Sequence, residues 1–217
     1  MIKVHGVSLS PFVRKVLLTL EYKGIDYELS PVFPGSDDPE FRKISPLGKI
    51  PVLEHDGFFI ADSSCICRYL DNTFPEKSIY PESFQDDARA SWLEEFADSR
   101  LVEALAGLFR QRFFRPKFLG KPAEEDKVKE LLEVTIPSAL DYIESITPNE
   151  GTLISGGVSI ADISVVTCFL QAQYADFEVD GKQYPKIKRY LDIALDTDLV
   201  KNRLANEQKD LAKMMAG

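Results

Sequence analysis

Three short stretches carry residue types that could do chemistry. Ser8 and Ser10 stand in "SLSPFVRKV" (8–16), ahead of an apolar helical pattern, with Pro11 suited to the first helical turn. A hydroxyl at that point accepts from the orphan N–H groups of the helix as an ordinary cap. The same hydroxyl can also donate to an anion drawn to the positive helix end. "GKIPVL" (48–53) sets Pro51 at the opening of a strand, where no ladder bond is lost. A cis peptide there would turn the N–H and C=O of Ile50 outward, to pair with an extended peptide; a trans one makes a plain edge-strand proline. "ADSS" (61–64) repeats the acid-and-hydroxyl cluster before a second helix. Helix N-termini bind carboxylates through their free N–H groups. Ser63 would then take a ligand carboxylate and Asp62 an ammonium beside it, or Asp62 is only an N-cap. The lack of a His and Asp partnership near the early serines argues against a hydrolase triad.

The elements that must position these residues follow from periodicity. "IKVHGV" (2–7) alternates and is rich in β formers. Phe12, Val16, Leu17 and Leu20 then recur at helical steps until Gly24, a natural stop. "DYELSPVF" (26–33) reads as a second strand, and a strand–helix–strand unit implies a parallel pair. Residues 34–49 read as loop with one helical turn. Residues 50–62 read as a hairpin turning at His55-Asp56-Gly57, and 63–74 as a helix stopped by Pro75. "PEKSIYPESFQD" (75–86) has two prolines and no period, the mark of a linker. From Asp87 onward the pattern is helical, in runs over 87–115, 123–146, 159–174, 185–195 and 197–213. The expected layout is an α/β domain over 1–76, ordered β-α-β-α-β-β-α, a linker over 77–86, and an all-helical domain over 87–217.

Composition narrows the function classes. A net charge of −9 argues against nucleic acid as a partner, although Arg14, Lys15, Arg42, Lys43 and Lys49 crowd the first quarter and could draw a small anion. Cys65, Cys67 and Cys168 show neither CxxC nor zinc spacing, so no metal site or disulfide framework is expected. Cys65 and Cys67 read as buried structural thiols. His5 reads as a strand residue and His55 as a turn residue. No apolar run approaches a membrane span, and Lys3 and His5 interrupt any signal-peptide core. A cytoplasmic location with no membrane partner is the expectation.

The strand–helix–strand start, then "SPLGKIPVLEHDGFFIADSSCICRYLDNTFP" (45–75), a linker and a helical domain resemble the cytosolic glutathione S-transferases over the whole chain. "SPF-x-RKV" (10–16) and "KIPVL" are most similar to the serine-type classes, including the tau and phi groups. The resemblance implies a thioredoxin-like first domain with glutathione as co-substrate and no metal. It implies that Ile50, ahead of Pro51, pairs by its backbone with the cysteinyl part, as a strand adds to an edge. Ser63 would hold the γ-glutamyl carboxylate, Asp62 the amino group, and Lys49 the glycyl carboxylate, with Arg42 and Lys43 as further candidates.

Ser10 would touch the thiol, with Ser8 as its rival; counting from Gly6 favours Ser10. Val7 stands where a bacterial beta-like pattern has its cysteine, which argues against a mixed disulfide on the protein. Phe12, Phe109, Arg112 and Phe113 would line the pocket for a small hydrophobic electrophile, and Trp92 and Phe96 would face the domain interface. "GGVSIADISVVTCFL" (156–170) resembles the family's capping box, Ser159 with Asp162, a stabilising rather than catalytic device. A homodimer is implied. The alternatives are glutathione-dependent isomerisation, dehalogenation or peroxide reduction at the same site, or a non-catalytic binding or stress protein of the same fold.

Overall fold

In the computed structural model, which describes residues 1–216, β1 (Ile2–His5) buries Ile2 and Val4 and leaves Lys3 and His5 half-buried. That is the period of a strand with one face on a core. It pairs in parallel with β2 (Tyr27–Ser30), Ile2 opposite Tyr27 through His5 opposite Ser30. The parallel pair needs a crossover, and α1 (Pro11–Lys23) supplies it, ended by Gly24 at φ 73°. A short α2 (Pro39–Ile44) is the single turn expected within 34–49. β3 (Val52–His55) runs antiparallel to β1 and returns as β4 (Phe58–Ala61). Asp56 and Gly57 both take positive φ at this turn, as a two-residue hairpin requires. The sheet order is β2-β1-β3-β4, and α3 (Ser63–Thr73) closes the pattern.

α1 and α3 lie along a polar seam. Lys15 Nζ donates to Ser64 Oγ at 3.0 Å, Thr19 Oγ1 lies 3.3 Å from Cys67 Sγ, and Lys23 Nζ donates to Asp71 Oδ1 at 2.7 Å. Residue numbers rise together on both helices, so the helices run parallel and open at the same end. Lys23 also donates to the carbonyls of Glu76 and Lys77, and Ile79 N–H donates to Asp71. The chain leaving α3 is thereby fastened to the foot of α1. Cys67 faces the seam and is buried, whereas Cys65 is exposed, contrary to the expected burial of both. Two residues along a helix turn the side chain through about 200°, which sends Cys65 to the outer face.

The second unit spans Pro81–Asp196. It contains α4 (Phe84–Phe96), α5 (Val102–Phe109), α6 (Arg115–Leu119), α7 (Glu125–Glu130), α8 (Ile136–Ile146), α9 (Ile160–Gln173) and α10 (Pro185–Asp196). Residues 97–101, 110–114 and 131–135 join these helices in wider π-type turns, so the helical path is unbroken over 84–119 and again over 125–146. α9 is buried from Ile160 through Ala172, the polar Asp162, Ser164, Thr167 and Gln171 included.

Asp162 anchors the start of α9. It accepts from the Leu153 N–H at 2.9 Å, the Ser159 N–H at 2.9 Å, the Ser159 hydroxyl at 2.8 Å and the Tyr190 hydroxyl at 3.0 Å. Burial still pushes its carboxyl above the usual carboxylate range, against the pull of those donors. Asp162→Ala orphans several buried donors, each costing about 1–3 kcal/mol. A stability loss of about 3 kcal/mol or more is expected, read as a lower urea midpoint of the helical transition.

α11 (Asp198–Ala216) groups with the first unit, Met1–Tyr80, rather than with the other helices. The sequence reading set α11 within a helical domain over 87–217; the contacts that follow tie it to α1. Arg14 of α1 and Glu207 of α11, both without exposed side-chain surface, form a two-pronged bridge: Nε to Oε2 at 2.8 Å and Nη2 to Oε1 at 2.7 Å. Arg203 Nη1 donates to Glu21 and to the Tyr27 hydroxyl, both at 2.8 Å. No helix of the described residues is long and apolar enough to cross a membrane.

Candidate functional site

Ser10 is the N-cap of α1, in extended backbone at φ −73° and ψ 130°. Its Oγ accepts from the Val13 N–H at 3.5 Å, a long cap bond that uses a lone pair and leaves the hydroxyl proton to donate elsewhere. The backbone around it is held: Ser10 N–H donates to the Val7 carbonyl at 3.0 Å, and Arg14 N–H to the Ser10 carbonyl at 2.9 Å. Ser10 is half-buried. Ser8 is 1% exposed, and its Oγ meets no hydrogen-bond partner among the described residues.

The Ile50–Pro51 peptide is cis. The ladder to β1 and β4 begins at Val52, so Ile50 stands before the first paired residue. Gly6 explains how close this loop comes to α1. A Cβ built on Gly6 would lie 2.6 Å from Val13 Cγ2 and 3.4 Å from Ile50 Cβ, so only glycine lets the strand pass between them. Just upstream, Ser45 Oγ donates to the Lys49 carbonyl at 2.7 Å. Gly48, at φ 64°, leaves room for the Arg42 guanidinium, which a Cβ would strike at 2.5 Å.

That guanidinium is occupied. Its Nε donates to the Ser36 carbonyl at 2.7 Å, and Nη2 reaches Asp37 at 3.4 Å. Lys43 pairs with Glu40 at 2.7 Å. Lys49 is exposed and forms no ion pair among the described residues. Of these three cations, Lys49 keeps its charge for an incoming anion. Ser45 is a contributor that the sequence reading missed, since a serine in "ISPLG" carries no mark that its hydroxyl will hold a carbonyl four residues on.

Asp62 caps α3 at φ 78°, a backbone region that few side-chain-bearing residues occupy. Its Oδ1 accepts from the Ser64 N–H at 3.0 Å and the Cys65 N–H at 3.1 Å. Oδ2 meets no hydrogen-bond partner among the described residues, so capping and ligand contact are compatible. Ser63 opens the helix and is 4% exposed. The parallel seam sets this mouth beside that of α1, and the Gly6 contact sets Ile50 against the first turn of α1. Ser10, Ile50 and the Asp62–Ser63 pair thus gather at one end of the first unit. A hydroxyl, an unpaired backbone edge, two positive helix ends and a carboxylate suit a zwitterionic, peptide-like ligand carrying an anion.

The expected pocket residues fall as follows. Phe12 is half-buried on α1. Phe109 and Phe113 are buried and stack at 5.2 Å, with Tyr174 set edgewise to both, and Arg112 Nη1 donates to the Ala175 carbonyl at 3.3 Å. Phe109, Phe113 and Tyr174 form one aromatic cluster of the helical unit. Trp92 Nε1 donates to the Tyr142 hydroxyl at 2.6 Å, and Phe96 packs on the same ring at 4.6 Å. A groove of about 760 Å³ opens at the opposite end of α1, lined by Glu21, Tyr22, Tyr27, Lys77, Leu199 and Asn202 among others. Among the described residues, no group of three or more His, Cys, Asp or Glu could hold a metal ion.

The chain matches the family model described as glutathione S-transferase, N-terminal domain, over residues 4–78, and that for the C-terminal domain over residues 109–205. It is 40% identical over 197 residues to glutathione S-transferase 1 of Dianthus caryophyllus, an overlap covering 89% of this chain and 86% of that protein. It is 28% identical over 192 residues to an elongation factor 1-gamma of Prunus avium, covering 86% of this chain and 44% of that one. A solved glutathione S-transferase from Rhodospirillum rubrum F11 shares the fold with a TM-score of 0.82, at 24% identity, over 94% of this chain and 92% of the other.

Proposed function

Since the chain belongs to the cytosolic glutathione S-transferase superfamily, as a transferase with the thioredoxin-like and helical parts of that fold, we propose that it binds glutathione at the mouths of α1 and α3 and delivers its sulfur to a small hydrophobic electrophile. The observation that carries this reading is the gathering of Ser10, Ile50 and Asp62–Ser63 at one end of the first unit. Ile50 pairs with the cysteinyl backbone. Ser63 takes the γ-glutamyl carboxylate, Asp62 Oδ2 takes the amino group, and Lys49 meets the glycyl carboxylate.

Ser10 then donates to sulfur. A free thiol titrates near pH 8.5, leaving only a few per cent thiolate at neutral pH. Lowering that by about two units takes about 2.7 kcal/mol. One hydrogen bond to a charged group supplies roughly 1.5–3 kcal/mol, and the helix end adds about 0.3–1 kcal/mol. A neutral alcohol therefore suffices, and no general base is needed. The thiol proton leaves to solvent, the thiolate forms the new carbon–sulfur bond, and the halide or other leaving group departs with its electron pair. Ser8 is the weaker candidate for sulfur, because its hydroxyl has no surface to offer. Phe12, half-buried on α1, remains a proposed contact for the electrophile in the first unit.

A homodimer is part of this reading. Phe58 and Phe59 on the edge strand β4 are 49% and 40% exposed, apolar surface that a second copy would cover. Cytoplasmic residence completes it. The test is retention on immobilised glutathione together with conjugation of a chloronitrobenzene acceptor and growth of thiolate absorbance on mixing. Retention without the thiolate band would instead support a non-catalytic binding role, the reading that the elongation factor similarity favours. Thiolate formation without conjugation, followed by turnover on a panel of isomerisable, halogenated or peroxide substrates, would reassign the chemistry at the same site.

A further inference from the structure

The groove at the far end of α1 lies wholly within the first unit, lined by the α1–β2 turn, Lys77 and the start of α11. The 13 residues of α1, about 20 Å of helix, separate it from the mouth where Ser10 stands. Its volume of about 760 Å³ is within the range of small-molecule sites. Glu21, one of its lining residues, already has a counterion: Oε1 accepts from Arg203 Nη1 at 2.8 Å and from the Tyr27 hydroxyl at 2.7 Å. The charges left over belong to Asp26 and Lys77. Both line the groove and both are exposed, yet they pair neither with each other nor with any other described residue. The Tyr22 hydroxyl and the Asn202 amide likewise meet no hydrogen-bond partner among the described residues. Tyr22, Ile25 and Leu199, all half-buried, give the same groove its apolar wall. An acid and a base that share one groove without meeting are complemented by a ligand carrying both signs. A purely cationic or purely anionic ligand would leave one of them unanswered.

We propose that this groove is a second ligand site, for a free zwitterionic amino acid with an aromatic side chain. Asp26 takes the ammonium and Lys77 the carboxylate, while the ring packs on Tyr22 and Leu199. The site is separate from the glutathione site and fills independently of it, because the length of α1 lies between the two. Both charge contacts are exposed to water, so each contributes only a few-fold in affinity.

The experiment is an NMR titration of the nitrogen-15-labelled protein with three probes that share a phenyl body: phenylalanine, 2-phenylethylamine and 3-phenylpropanoate. Saturable shifts are expected at the amides of Gly24, Ile25 and Leu199, with phenylalanine binding about threefold tighter than either singly charged probe. Asp26→Asn should weaken phenylalanine and phenylethylamine about threefold and leave phenylpropanoate unchanged. Lys77→Gln should weaken phenylalanine and phenylpropanoate by a similar factor and leave the amine unchanged. This crossed pattern assigns each charge to its own head group, which a general loss of fold would not produce. Leu199→Asn should weaken all three probes. Saturating glutathione should leave the phenylalanine affinity within about twofold. The assignment is overturned by shifts that do not saturate at those amides, by equal affinity for the three probes, or by equal losses on all of them in both charge variants. Displacement of phenylalanine by glutathione overturns it as well, and would place the amino acid at the mouths of α1 and α3. A protein that takes phenylalanine at the groove but never glutathione would sink the transferase reading and leave this site standing.

Discussion

Ser10→Ala is expected to lower kcat/KM for conjugation by roughly ten- to a hundredfold and to return the bound thiol toward its free pKa of about 8.5. The two effects would share one cause, the loss of the hydroxyl proposed to donate to sulfur at the mouth of α1. Stability should fall by only about 0.5–1 kcal/mol, the low end for an N-cap, because the bond from Val13 N–H is already long at 3.5 Å. The checks are a pH titration of the thiolate band and a urea unfolding curve on the same protein. Direction follows from linkage. A depressed thiol pKa means that thiolate persists as pH falls below 8.5, so the mutant's activity should recover steeply as pH rises and approach wild type above the free value. A mutant whose activity stays low at all pH would mean that Ser10 does something other than steady the thiolate. If Ser8→Ala removes the band and Ser10→Ala does not, the two serines exchange roles.

Glu207→Ala should cost about 3–5 kcal/mol, because it takes one partner out of a buried, two-pronged ion pair. This is the largest single loss expected in the first unit. The double variant Arg14→Met with Glu207→Leu should recover most of it, because apolar replacement of both partners removes the two buried charges together. Unfolding midpoints of the three proteins measure the coupling directly. Glutathione binding should weaken with Glu207→Ala as well, because Arg14 N–H donates to the Ser10 carbonyl and the bridge holds that turn of α1. A loss below about 1 kcal/mol would show that the bridge is no more than a surface-like pair.

Much of the first unit is legible without coordinates. The alternation of 2–7, the helical steps from Phe12 to Leu20 and the Asp56-Gly57 turn are local signals, and the structure realises each of them. The three stretches of site residues are also local, since each is a helix mouth or a strand opening. What is not legible is how far apart the partners lie. Nothing near Arg14 hints that its counterion is Glu207, 193 residues later, so a chain of helical runs reads as one domain although its last member packs on the first unit. Lys15 looks like a solvated charge on a helix of mixed pattern. Its burial, with Nζ on Ser64 of α3, is a tertiary outcome that no local signal in α1 announces. Cys65 and Cys67 differ by their angle around α3, which matters only once α1 has chosen a side. The aromatic spacing of Phe109 and Phe113 is that of a helix face, and it cannot say whether the face meets a ligand or Tyr174.

The return of α11 to α1 has a consequence for biosynthesis. The thioredoxin-like half is encoded first and completed last, because the carboxylate that Arg14 pairs with leaves the ribosome only after the whole helical insert has been made. Domains that emerge early usually fold on the nascent chain. This one has to wait, half-built, for its closing helix, so a stop codon or a frameshift shortly before Glu207 would strip the thioredoxin-like half of its clasp while leaving the intervening helices intact.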